Sequence, residues 1–291
     1  MNEYITLTQA RNWMSLDASE TSDDIEILQS IEDASRAIDR YCFRSFYPNR
    51  KTLYYDLPQD SQRLKFEEDI VEVYGLSDMG GASEIDASVY WLRNGNNWNQ
   101  TPYNIIELDY SSGCVFNYSG TEQRAIVADA VTAYHEDYDN AWIFTNASLT
   151  EAINASQTNI VISISNSDEW GKASPICAQK IVKLDNEYVY VITKLNENDT
   201  HKTWTVKRGI NGTTAASHAE ATSASFFKAE NDIMYSTKVL TDFQYKTRDA
   251  EKTGRRITPL GGGFVLDDPD SWPSQVRTKL QRYVKKRVYS I

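Results

Sequence analysis

The side chains that could carry chemistry in this chain are few. There are 3 histidines and 3 cysteines among 291 residues. His135-Glu136-Asp137 is the one place where a histidine adjoins carboxylates. Sequence neighbours rarely converge on one point, and no second histidine stands at metal-ligand spacing, so a solvated loop is expected there. Gly261-Gly262-Gly263 lacks the Lys-[Ser/Thr] step of a phosphate-binding loop and reads as a hinge or a close backbone approach. No GxSxG, HExxH or EF-hand pattern occurs. The carboxylates of SETSDD (19–24) and LDDPDS (266–271) suit helix caps better than a cation. Cys42, Cys114 and Cys177 are odd in number, far apart and without CxxC spacing, which argues for reduced thiols and against a disulfide framework or a zinc site. The expectation is a chain with no catalytic residues, no cofactor and no metal.

The elements around these residues point to an interaction protein. Thr6 or Thr8 can cap a short helix over 7–15. Ser22 or Asp23 can cap a longer one with Ile27, Leu28, Ile31, Ala34, Ile38 and Tyr41 at helical spacing. Short β-rich pieces follow at 52–57, 63–66, 69–76, 88–93 and 104–109, separated by Gly, Asn, Ser and Pro. A second β-rich block covers 145–228, with pieces at 158–164, 180–192, 203–209 and 223–228 and a tight Asp185-Asn186 turn. Helical texture returns at 231–248, capped by Asp232, and at 273–290, where Val276, Leu280, Tyr283, Val284 and Val288 form a stripe. The segment between them should be an extended or mobile loop. The fold expected is α+β: a helical unit formed by the N- and C-terminal helices, with two inserted antiparallel β-rich domains. The segments are 1–48 (helical), 49–144 (β-rich), 145–228 (inserted β-module) and 229–291 (C-terminal helices and arm).

Composition narrows the function further. The chain is 24% charged and 41% hydrophobic, with 41 acids against 30 bases and a net charge of -11, which disfavours a sequence-reading DNA binder. The charge is polar along the chain. Residues 1–40 hold nine acids against three bases, whereas 271–291 hold six bases (Arg277, Lys279, Arg282, Lys285, Lys286 and Arg287) and no acid. Such polarity suits head-to-tail contact between copies or docking on an acidic partner. No run approaches the roughly 18 apolar residues of a membrane helix, and MNEYITLTQA lacks the pattern of a secretory signal, so a cytosol-like compartment and no membrane partner are expected. The five Asn-x-[Ser/Thr] sites are then loop asparagines. The 7 Trp and 18 Tyr suit half-buried strands and interfaces, and would equally serve a glycan-binding β-module.

The opening YITLTQARNWMSLDASETSDDIEILQSIEDASRAIDRYCFRSFYP, followed by KTLYYDLP, LKFEEDIVEVYGLSD, SVYWLRNGNNW and PYNIIELDYSSG, resembles tailed-phage head-tail connector (adaptor, or head-completion) proteins. The chain departs from that pattern at Thr132-Ala133-Tyr134, where a glycine is common. Residues 145–220 are similar to a module of phage structural proteins, most specifically in TVKRGINGTTAASHAEAT. There Arg208-Gly209 and Asn211-Gly212-Thr213 read as a structural turn with backbone in positive φ, and His218 as a buried hydrogen-bonding residue.

The resemblance implies a non-enzymatic structural protein of the virion neck, made in the host cytoplasm. Such proteins form a ring, commonly twelve-fold, that docks on the portal protein after DNA packaging and joins the capsid to the next neck or tail protein. Packaged DNA would pass through without sequence-specific binding. Carried over by segment, Val276, Arg277, Leu280, Arg282, Tyr283, Val284, Lys285, Lys286, Arg287 and Val288 would engage the portal, and deleting 271–291 should abolish that binding while leaving the β-blocks folded. Competing readings are a glycan-binding virion component using 145–228, another neck or tail component, and a metal-dependent hydrolase or nuclease built from dispersed acids.

Overall fold

The computed structural model describes residues 1–17, 19, 21–95, 97–98, 100–163, 176–198, 200–253, 266 and 268–285. Helices α1 (Leu7–Met14) and α2 (Asp24–Cys42) come first, and α3 (Asn231–Thr253) and α4 (Ser274–Leu280) come last. Between them run strands β1 (Asn49–Tyr55), β2 (Arg63–Asp78), β3 (Ser83–Glu84), β4 (Tyr90–Asn94), β5 (Asn97–Trp98), β6 (Tyr103–Leu108) and β7 (Ile126–Thr132). These are followed by β8 (Trp142–Ser148), β9 (Asn159–Ser163), β10 (Ile181–Leu184), β11 (Glu187–Glu197), β12 (His201–Lys207) and β13 (Ser223–Phe227). The fold is mixed, with two antiparallel sheets ordered β1-β7-β2-β6-β4-β5, with β3 on β2, and β8-β13-β10-β11-β12-β9. Chain contacts divide it into two units, one of 1–46, 142–210 and 214–291, the other of 47–141 with 211–213.

In the second unit, alternation sets the core. Ile126, Ala128 and Ala130 of β7, Ile106 and Leu108 of β6, and Leu64, Phe66, Ile70 and Leu76 of β2 are buried together, as expected when successive side chains point to opposite faces. The pieces expected at 63–66 and 69–76 are one strand, whose pairing with β6 and β7 shifts register around Lys65–Ile70, Ile70–Glu72 and Val73–Gly75. The outer face carries a buried carboxylate, Glu107, between Arg63 (2.7 Å) and Arg93, with the Tyr110 hydroxyl donating at 2.9 Å. Burial by itself would raise this carboxyl, but those donors outweigh it and bring it down to about 2.

In the first unit the second sheet buries one face on every strand. Its core includes Ile143, Ile160, Ile162, Val182, Leu184, Val189, Val191, Trp204, Val206, Ala224 and Phe226. The helices belong to the same unit. Thr6 closes a capping box on α1, its hydroxyl accepting the Gln9 N–H at 3.2 Å while Gln9 Oε1 accepts the Thr6 N–H at 3.0 Å. Ile27, Ile31, Ala34 and Ile38 of α2 are buried at helical spacing. Gln244 of α3 donates to Asp33 of α2 at 2.9 Å, and the Tyr245 hydroxyl donates to Asp23. The helices also bond to the sheet segment: the Leu7 N–H donates to Gln179 Oε1 at 3.0 Å, and the Tyr190 hydroxyl to Glu3 at 3.1 Å.

Two expectations need correction. Of the helix expected over 273–290, the described residues are α-helical at Ser274–Leu280, a 3-10 turn covers Gln281–Tyr283, and Val284 is extended with φ -64 and ψ 121, while 286–290 lie outside the described residues. The Lys285 N–H then bonds the Cys42 carbonyl at 2.9 Å, so the end of α2 takes the donor that a longer helix would have used itself. The loop at His135-Glu136-Asp137 is not solvated throughout, because His135 is 8% exposed and its Nδ1 accepts the Asp137 N–H at 3.1 Å.

Candidate functional site

The turn expected at 208–218 is held by a cluster of side-chain and backbone hydrogen bonds centred on Glu187. β10 and β11 are joined by the two residues Asp185 and Asn186, with Leu184 opposite Glu187 and Asp185 at φ 50. The hairpin therefore sets Asp185 and Glu187 beside the chain that leaves β12. Glu187 Oε1 accepts Arg208 Nε at 2.7 Å and the Gly209 N–H at 2.9 Å. Its Oε2 accepts Arg208 Nη2 at 2.7 Å, the Ala216 N–H at 3.0 Å and His218 Nε2 at 2.9 Å.

Arg208 uses all five of its N–H groups, since Nη1 reaches the carbonyls of Asn154 and Gln157 at 3.1 Å and Nη2 also reaches that of Ala216 at 2.6 Å. His218, 5% exposed, lies with Nδ1 2.7 Å from Asp185 Oδ2. Both ring nitrogens face carboxylates. Burial works against the Glu187 carboxylate, but Arg208, the Ala216 N–H, His218 and the Gly209 N–H outweigh it and hold the group at about 2. Every side-chain polar atom of Arg208 and Glu187 is thus engaged inside the chain, an arrangement that fixes a turn and leaves neither side chain open to a ligand.

The turn backbone takes positive φ at Gly209 (59°), Asn211 (50°) and Gly212 (78°). Within the second unit the Arg50 N–H donates to the Asn211 carbonyl at 2.9 Å. A Cβ on Gly212 would stand 1.9 Å from the Arg50 carbonyl oxygen, so this glycine is required for the approach as well as for its φ. Thr213 is buried at 8% exposure. The sequence pointed to Arg208, Gly209, Asn211, Gly212, Thr213 and His218 but not to Glu187, the acceptor of Arg208, Gly209 and His218. The available signal for Glu187 was a carboxylate directly after a two-residue hairpin turn.

The residues expected to engage a portal divide differently. Val276, Leu280 and Tyr283 are each 0% exposed, and Tyr283 stacks edge-on against Phe46 at 5.7 Å. Their stripe is filled from within the chain and presents no free docking face. Deleting 271–291 would strip these side chains, together with the buried Trp272, from the core of the unit. Lys279 pairs with Asp232 at 2.6 Å and Arg282 with the same carboxylate at 3.5 Å, while Arg277 pairs with Asp270 at 3.5 Å. Val284 lines a cleft of about 790 Å³ together with Ala37, Arg40, Tyr41, Phe43 and Trp272. Lys286, Arg287 and Val288 lie outside the described residues, as does the Gly261–Gly263 loop.

Among the described residues no group of three or more His, Cys, Asp or Glu is placed to hold a metal ion, and no helix is long and apolar enough to cross a membrane. Cys42 is buried, and burial pushes its thiol up to about 12. The aromatics Tyr188, Tyr190, Trp204, Phe226 and Phe227 of the second sheet are buried, whereas Phe144 of the same sheet is 49% exposed. Comparison with protein-family models, curated proteins and solved structures finds no match to this chain.

Proposed function

We propose that this chain is a structural neck protein of a tailed phage. Copies form a ring that docks on the portal after DNA packaging and joins the capsid to the next neck or tail protein. In this reading α1–α4 act as a helical unit, which the chain contacts group with the second sheet. The observation that carries the reading is the opposite charge of the two chain ends, with nine acids against three bases in residues 1–40 and six bases with no acid in 271–291. A cyclic assembly needs two different complementary faces on each copy, which this polarity supplies. The resemblance of the opening 45 residues and of TVKRGINGTTAASHAEAT to phage connector and structural modules supports the same reading. An acidic surplus of 11 charges also suits a channel that DNA must leave without sticking.

Native mass spectrometry of the full chain, alone and mixed with its portal protein, tests the proposal. A free ring of about a dozen copies, or a portal-bound ring, is the expected result. A monomer indifferent to portal refutes it. Because the apolar stripe of α4 is internal, the variants suited to mapping the portal contact are charge reversals at the exposed Arg282 and at Lys285 rather than removal of 271–291.

A further inference from the structure

With 41 acids against 30 bases, this chain has carboxylates to spare for its lysines. Several are matched in that way: Lys202 pairs with Glu197 at 3.0 Å, Lys246 with Asp242 at 2.8 Å and Lys279 with Asp232 at 2.6 Å. A group of three departs from the pattern. Lys180 immediately precedes β10, Lys228 immediately follows β13, and Lys238 lies on α3, all within the first unit. β10 and β13 are antiparallel neighbours with Val182 opposite Phe226, so Lys180 and Lys228 stand at the same end of the sheet. The Lys180 ammonium lies 4.8 Å from the centre of the Phe226 ring, and that of Lys238 lies 6.0 Å from the Trp13 ring of α1. All three lysines are half-buried. Among the described residues no carboxylate and no hydrogen-bond acceptor engages any of the three ammonium groups.

A cation withdrawn from water is destabilising unless an anion or an acceptor replaces the lost hydration. That effect is felt at Lys180. Burial lowers its ammonium from the usual 10.5, Cys177 opposes the fall, and the charges of Lys228 and Lys238 add to it. Cys177 is no counter-ion, because burial raises its thiol against the pull of Lys180, the Thr6 hydroxyl and Lys202, and so keeps it neutral at pH 7. Three like charges brought together repel, and the missing partner is negative.

We propose that Lys180, Lys228 and Lys238 form a binding site for an inorganic phosphate ion. Each ammonium brings three donors and a full charge, and lysine binds phosphate as a point charge with no demand for a planar fork. A compact oxyanion with several acceptor oxygens and more than one negative charge answers three such groups better than a halide does. The free ion is favoured over the phosphates of a nucleic-acid backbone, because the lysines are half-buried and a chain of net charge -11 repels a polyanion. This site is independent of the ring reading.

The test is calorimetric titration of the full chain with inorganic phosphate in sodium chloride at constant ionic strength. It compares wild type with Lys180→Met, Lys228→Met and Lys238→Met, and with Lys65→Met as a charge control on an exposed lysine of the other unit. Circular dichroism melts confirm that each variant folds; where one does not, the other two carry the comparison. Wild type and Lys65→Met are expected to bind phosphate alike, and each of the three site variants to bind it about tenfold more weakly or worse. In chloride alone Lys180→Met should melt above wild type, having lost a buried like charge, and added phosphate should raise the melting temperature of the wild type but not of this variant. A wild type with no saturable phosphate binding overturns the proposal. Binding that survives in all three site variants, or that Lys65→Met weakens equally, overturns the placement. A DNA duplex that binds through these lysines while phosphate does not overturns the free-ion reading.

Discussion

Replacing Glu187 with alanine removes the acceptor for five N–H groups at once: Arg208 Nε and Nη2, the Gly209 and Ala216 amides, and His218 Nε2. The side chains of Arg208 and Glu187 are 5% and 1% exposed, so the guanidinium would remain in the interior without its counter-charge. Breaking a buried pair from one side costs about 3–5 kcal/mol, a large part of the roughly 5–15 kcal/mol that holds a folded domain together. Urea unfolding followed by tryptophan fluorescence should show that loss. A double-mutant cycle with Arg208→Met should show strong coupling, because the second substitution removes the stranded charge left by the first. Acid titration gives an independent check. The folded Glu187 carboxyl lies at about 2, below its usual 4.5, so its contribution is fully present above pH 4.5 and is lost as pH falls toward 2. A Glu187→Ala chain within about 1 kcal/mol of wild type would refute the reasoning, since that is the range of an ordinary exposed pair.

Three further outcomes are expected. Gly212→Ala places a methyl 1.9 Å from the Arg50 carbonyl oxygen at φ +78, and should cost about 2–4 kcal/mol in chemical denaturation from overpacking and left-handed strain together. Phe43→Gly relieves the left-handed strain at the end of α2, so it should raise the melting temperature by the equivalent of about 1 kcal/mol; a drop in stability would show that the phenyl group is needed by its own chain. Asp39 is raised to about 6, first by burial, against the opposing pull of Arg36 and Tyr4. Its contribution to stability is therefore fully present below pH 4 and lost as pH rises through 6, and Asp39→Asn should flatten the stability profile across that window.

Local chemistry carried much of the fold in legible form. The Thr6 cap spans three residues and depends on nothing else, and the Asp185-Asn186 hairpin and the positive-φ positions Gly209, Asn211 and Gly212 are set by backbone sterics within the turn. The apolar stripe of α2 was equally plain, because periodicity is a property of one helix. The partner of a stripe is a different matter. Val276, Leu280 and Tyr283 showed the spacing of an exposed docking face, but they are buried inside the chain, where the end of α2 accepts the Lys285 N–H.

β7 was not assigned as a strand, since its identity lies in its pairing with β1 and β2 rather than in alternation strong enough to read. β8 likewise depends on β13, nearly 80 residues on. The candidate site divides along the same line. The sequence alone determined which residues form the 208–218 turn, because turn geometry is local. Only the tertiary structure decided that Glu187 is the common acceptor of Arg208, Gly209, Ala216 and His218, because a shared buried carboxylate does not exist until distant segments are packed together.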